Sequence, residues 1–286
     1  MKLNLLKIFK SPEIIILLFL IFALPAREVS GGAWPQKKGS GYYKMSFRYL
    51  SGNNIYNSDG VKIPIAKFND FTIGAFGSFG ITEKLTGFLN VTLFKSTTLD
   101  SASQDAGFDT DVSGFGDIDI GVKYGLLKFD KTVISGKLLF GIPTGKGTPD
   151  GGLLTGDGEF NQAIGIEAGH SFWPVKVYLT EGIFFNNRTN GFSDDFRYFI
   201  ESGVNISNNV SLIVRLHGLI SFNNGDPKVK GGFGIYSNNQ QYLAYNAELV
   251  YKINTNWGIS AYYESGTNGK NIISAPIINV GIFITN

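Results

Sequence analysis

Apolar and small or polar side chains alternate along most of this chain with a period of two, in about twelve runs of roughly 10 residues separated by clusters of Gly, Asn, Asp and Pro. Successive side chains of a strand point to opposite faces, so each run predicts a strand with one apolar and one polar face. The clearest is 116–126, where Ile118, Ile120, Val122, Tyr124 and Leu126 share one face and Asp117, Asp119, Gly121, Lys123 and Gly125 the other. Residues 196–206 set Phe196, Tyr198, Ile200, Val204 and Ile206 against Arg197, Glu201, Gly203 and Asn205, while 210–222 carries Arg215 and His217 on its polar side. The other strands are predicted at 42–50, 70–81, 86–96, 132–142, 161–172, 175–185, 242–253, 257–265 and 277–285. Helical periodicity is absent. In the seventh strand Glu181 shares parity with Leu179 and Ile183, which predicts a β-bulge or a rim position there.

The connections alternate between long and short. Long ones are predicted at 51–67, 97–113, 143–160, 186–195, 223–241 and 266–276, and short turns at 82–85, 128–131, 173–174, 207–209 and 254–256. A soluble β-sandwich has no reason to sort its loops in this way. Tight periplasmic turns, longer extracellular loops and an even strand count are features of outer-membrane barrels. The fold class expected is therefore all-β: an antiparallel transmembrane β-barrel of about 12 strands with both termini periplasmic. Aromatics should collect at its two interfaces, and Trp173, Trp257, Tyr42, Tyr43, Tyr124, Tyr242, Tyr262 and Tyr263 are the candidates.

The N-terminus supports export. Lys2, Lys7 and Lys10 precede an apolar run from Ile14 to Leu24 and then small and polar residues from Ala26 to Gly32, the layout of a secretory signal peptide. The run is shorter than the about 20 apolar residues of a membrane-spanning helix. Cleavage falls after Ala26 or after Gly31, giving a signal peptide over residues 1–31 and a barrel over 32–286. No later stretch could cross a bilayer as a helix. Composition agrees, with 17% charged and 14% aromatic residues and abundant glycine. With no cysteine, an N-terminal lipid anchor is excluded. A net charge of +2 leaves no electrostatic footprint for nucleic acid, so the partners expected are outer-membrane lipid, the barrel-assembly machinery and a small solute.

Chemistry is sparse. The two histidines lie on different predicted strands; Ser171, next to His170, points to the opposite face, and Ser221 is two pleat repeats from His217. Both histidines are expected as polar lumen residues, with no catalytic residue, cofactor or metal site, and the chain is not expected to be an enzyme. Thr144-Gly145-Lys146-Gly147-Thr148 resembles part of a phosphate loop but follows a proline and lacks the hydroxyl residue after the lysine. Gly114-Phe115-Gly116-Asp117 lacks the third glycine of a dinucleotide fingerprint. Both read as loop punctuation. Asp150, Asp157 and Glu159 lack the spacing of an EF-hand and read as solvated loop acids.

Three elements carry a family resemblance, from Phe71 to the C-terminus. They are Phe79-Gly80-Ile81-Thr82-Glu83-Lys84-Leu85; Gly114-Phe115-Gly116-Asp117 with Gly121-Val122-Lys123-Tyr124; and Gly141-Ile142-Pro143-Thr144-Gly145 followed by Gly156-Asp157-Gly158. In order and spacing they resemble the outer-membrane transporter family associated with the meta pathway of phenol degradation. The resemblance implies passage of small, often hydrophobic compounds and brings no catalytic residues. Two departures stand out: no charged pair on the second strand faces the third, and the chain ends Ile282-Phe283-Ile284-Thr285-Asn286 instead of on an aromatic.

Eight-stranded barrels are filled by side chains and sixteen-stranded ones hold an open channel, so about twelve strands imply a narrow lumen. The lining expected is of mixed sign: Lys44, Arg48, Asp117, Asp119, Lys123, Lys137, Glu167, Arg197, Glu201, Arg215, Glu248, Lys252 and Glu264. These residues either brace the wall as salt bridges or set selectivity along a permeation path. The function expected is a passive channel for small solutes; the alternative is a non-conducting barrel acting as an adhesin or structural protein.

Overall fold

The computed structural model describes residues 32–100, 110–148 and 151–286. The predicted signal peptide and Asp150 lie outside the described residues. Strands follow in the order β1 (Gly41–Tyr56), β2 (Lys62–Gly80), β3 (Leu85–Leu99), β4 (Asp111–Gly114), β5 (Ile118–Lys128), β6 (Thr132–Ile142) and β7 (Asn161–Ser171). They continue with β8 (Val177–Arg188), β9 (Asp195–Asn205), β10 (Val210–Ser221), β11 (Gln241–Lys252), β12 (Trp257–Lys270), β13 (Ile272–Ile273) and β14 (Ile277–Thr285). Short β4 pairs antiparallel with the upper part of β3, and β13 with the upper end of β1. The other 12 form one closed antiparallel barrel, because β1 pairs with β2 on one side and with β14 on the other, from Tyr42 opposite Thr285 to Leu50 opposite Ile277. Closure leaves no unpaired strand edge, the condition for a sheet to stand in hydrocarbon.

The predicted faces are realised. Outward-facing Ile120, Ile164, Ile183, Leu216 and Val280 form part of an exposed apolar belt, with Ile164 as much as 58% accessible. Exposed aromatics lie at both ends of this belt. Phe129, Phe172, Trp173 and Trp257 stand at the tight-turn end, and Phe94, Phe140, Phe185 and Phe222 at the long-loop end. Three of the expected interface tyrosines turn inward instead: Tyr42 stacks on Phe283 (5.5 Å), Tyr242 meets the ring of His217, and Tyr262 shares the parity of Glu264. Alternation alone places them there, since each sits beside an outward neighbour.

Several local expectations change. The first long connection is mostly strand, because 51–56 and 62–67 continue the ladder to a tight turn in which Asn57 Oδ1 accepts from Asp59 N (3.0 Å) and Val61 N (2.9 Å). Glu181 has no bulge beside it: β8 pairs in unbroken register with β7 and β9, so its carboxylate stays on the outer face, four residues from the start of the strand. Bulges occur elsewhere. One at Leu93 in β3 flips the parity of everything above it, bringing Lys95, Thr97 and Leu99 inward.

The start of β1 and the end of β14 lie with the tight turns, where Asn286 N donates to Gly41 O (3.2 Å). Leu216→Arg, at mid-wall on the outer face, is expected to cost about 2–4 kcal/mol and Phe222→Arg at the rim only about 0–1 kcal/mol. Urea titration of barrels refolded into lipid vesicles measures the difference.

Candidate functional site

Among the described residues, many of the charged side chains converge on the lumen, and most of these do so in pairs. Lys44 meets Glu248 (2.8 Å), Lys123 and Lys137 share Glu167 (3.0 and 3.4 Å), and Arg48 reaches Asp70 (3.2 Å). Arg197 grips Asp195 through two nitrogens (2.6 and 3.0 Å), and Arg215 pairs with Glu201, which also accepts from the Tyr178 hydroxyl (2.8 Å). His217 Nε2 lies 3.1 Å from Glu264, and Asn90 donates to Asp119 (3.1 Å). Lys252 ends β11 on the same face at the tight-turn rim. A buried ion pair repays desolvation better when its remaining hydrogen-bonding capacity is met, as Thr97 does for Asp70, Tyr178 for Glu201 and Asn246 for Glu264.

The expected lining omitted a second set. Asp70 on β2 pairs with Lys95 on β3 (2.6 Å) and accepts from Thr97 (2.9 Å), so a charged pair does join the second and third strands. Simple alternation sends Lys95 to the outer face; the bulge at Leu93 reverses that. Glu159, Arg188 and Asp195 form a further chain of ion pairs at the long-loop end. Asp117 proves to be a loop buttress rather than strand lining: its carboxylate accepts from Gly145 N (2.9 Å) and Asp157 N (2.7 Å). Burial and the nearby charge of Asp157 push it up to about 6. Nor is Glu159 solvated, since it is fully buried against Arg188, while both Asp157 oxygens accept protein donors. His170 is the other correction. It lies on the outer face at the tight-turn rim, 2.8 Å from Thr132 Oγ1 and edge-on to Phe172.

Both ends of the lumen are narrowed by chain that alternation does not predict. At the tight-turn end residues 32–37 run as a strap along the inner wall. Lys123 donates to Gly32 O, Ser135 to Ala33 O (2.7 Å), and Trp34 stands edge-on to Tyr178. Next, Gln36 N donates to Thr86 (2.8 Å) and Gln36 Nε2 to Ser78 (3.3 Å), before Gly39 N reaches Gly80 O (2.8 Å). The strap thus touches β5, β6 and β8 with residues 32–34 and β3 and β2 with Gln36. Gly169 on β7 makes room for it: a Cβ there would lie 2.8 Å from the Trp34 ring.

At the other end the long loops fold together. Leu153, Phe233 and Ile235 pack on Leu50, Phe68, Leu99, Val112 and Ile273 as a small apolar core. Backbone bonds tie the loops to one another and to β13: Phe233 N to Gly152 O (2.7 Å), Ile273 N to Gly234 O (3.0 Å) and, through a side chain, Ser193 N to Asn238 Oδ1 (2.9 Å). The phosphate-loop-like segment is part of this closure. Gly147 lies against Gly158 so tightly that neither could carry a Cβ, and Gly158 has φ +75°.

No family model matches the chain, and no curated protein matches it. Solved structures do. An outer membrane channel from Pseudomonas putida F1 superposes with TM-score 0.67 at 11% identity, covering 91% of this chain and 100% of that one. The NanC porin gives TM-score 0.53 at 9% identity over 84% of this chain and 98% of that one. The translocator domain of autotransporter NalP from Neisseria meningitidis gives 0.52 at 10% over 87% and 89%. At such identities the comparison speaks to the fold: the chain has the closed-barrel fold found in outer-membrane channels, porins and an autotransporter translocator.

Proposed function

We propose that this chain is an outer-membrane channel for passive passage of small solutes, with its tight turns and both termini in the periplasm and residues 1–31 removed on export. The observation that carries this reading is the two-sided wall. An apolar exterior, broken by Glu181 toward the tight-turn end, fits lipid, whereas the interior is lined by paired charges and tyrosines suited to a solvated path. The strap and the inward-folded loops would make the path narrow, limiting it to small solutes. Rings on the inner face, among them Tyr42, Phe76 and Phe283 together with stacked Phe184 and Phe199, favour solutes with apolar surface. That agrees with the phenol-pathway resemblance. An adhesin would be better served by loops extended into solvent than by loops spent on an apolar core of their own.

Single-channel recording from folded protein in planar bilayers tests the reading: discrete conductance steps are expected, and a folded, heat-modifiable sample without conductance overturns it. Trp34→Ala, which unseats the strap from Tyr178, is expected to raise conductance; an unchanged value would show that the strap is not limiting. Phe68→Ala, beneath the loop core, is expected to cost about 3–5 kcal/mol. It should also speed trypsin cleavage at Lys228 and Lys230, read by mass spectrometry of intact vesicle-bound protein.

A further inference from the structure

Four ion pairs of the lumen are unequal in a consistent direction. In these the carboxylate is tucked into the wall and the cation stands in front of it, whereas Lys44 with Glu248 and His217 with Glu264 are near equal. Asp195 is 1% exposed and Arg197 40%; Glu201 is 6% and Arg215 37%; Asp70 is 0% and Arg48 27%; Glu167 is 4% and Lys137 24%. Two of these carboxylates also hold a second, more deeply placed cation, Lys95 on Asp70 and Lys123 on Glu167, so the exposed one is not required to neutralise them; Asp195 has Arg188 at 4.0 Å, which it shares with Glu159. Tyr242 lies close enough to both Arg48 on β1 and Arg197 on β9 to interact electrostatically with each, so the two guanidiniums face a common stretch of lumen. Glu264, Asp119 and Glu248 are carboxylates near that stretch, the last paired with Lys44 (2.8 Å). Glu264 is taken up by His217 and Asn246, and Asp119 by Asn90. The acids of the long-loop end, Asp117, Asp157 and Glu159, are held by backbone donors, Asn161 and Arg188.

From this asymmetry, and resting on the channel reading above, we infer that the lumen selects for small anions, with Arg48, Arg197 and Arg215 as the residues that set the selectivity. A narrow lumen between low-dielectric walls focuses the field of the groups that reach its surface, so cations in front count for more than carboxylates behind. The guanidinium fork matches a carboxylate with two parallel hydrogen bonds, and Tyr242 beside it offers a ring face. The solute class that fits is therefore small organic carboxylates, aromatic ones included.

Reversal potentials in a KCl gradient across planar bilayers measure the sign directly, and replacing chloride by benzoate extends the measurement to an aromatic carboxylate. Wild type is expected to pass chloride in preference to potassium, and benzoate with measurable permeability. In the double variant Arg48→Gln/Arg197→Gln the reversal potential is expected to move toward zero. Both buried carboxylates keep partners there, Asp70 with Lys95 and Thr97 and Asp195 with Asn186 and Arg188, and heat-modifiable gel mobility checks that the barrel still forms. If the double variant does not fold, the wild-type sign and Arg197→Gln alone carry the test. A conducting wild type that prefers potassium, or an unchanged reversal potential in the folded variant, overturns the inference and leaves the channel reading standing. Absence of conductance overturns both.

Discussion

Everything in this structure follows from the requirement that no backbone amide or carbonyl face hydrocarbon unpaired. A sheet meets that requirement only by closing, and here it closes where β1 meets β14. Once the ring is complete, the two faces of every strand are assigned: one must be apolar to stand in lipid, and the other receives whatever polarity the sequence carries. The inward charges are consequences of closure, because no other place in the fold can hold them.

Confinement then dictates how those charges are arranged. A lumen of this width brings side chains from strands that are not neighbours into range of one another, as with Lys44 on β1 and Glu248 on β11, three strands away around the ring. Carboxylates withdrawn from water need partners, and removing one member of such a pair costs more than the pair contributes. The result is a bracing network in which threonine, tyrosine and asparagine fill some of the remaining hydrogen-bonding positions. The same network forms the inner surface of the lumen.

Much of this was legible in the sequence. Strand positions and faces followed from alternation, and β6 and β14 begin and end where the alternation puts them. Inward placement of Lys123, Glu167, Arg197 and Arg215 followed from parity alone. Where parity breaks, the reading failed: the bulge at Leu93 carries no mark in composition, so Lys95 and its contact with Asp70 were hidden. Segments without period were the other blind spot. The strap at 32–37 and the apolar positions Leu153, Phe233 and Ile235 lie in stretches that read as linker and loop, and their place depends on contacts made only after the barrel exists. His170 was misplaced for a simpler reason. A polar residue on the apolar parity was assumed to turn inward, whereas at the rim it finds Thr132 on the outer surface.

The strap bears on assembly as well as on passage. Hairpins between neighbouring strands need little loop closure, but the β1–β14 seam joins the first strand to the last and bears the largest loop-closure entropy in the sheet. Because the strap runs from β8 to the start of β1 across the concave face of the intervening strands, it shortens the distance that remains to be closed. A half-formed sheet that carries it is already bent toward the seam.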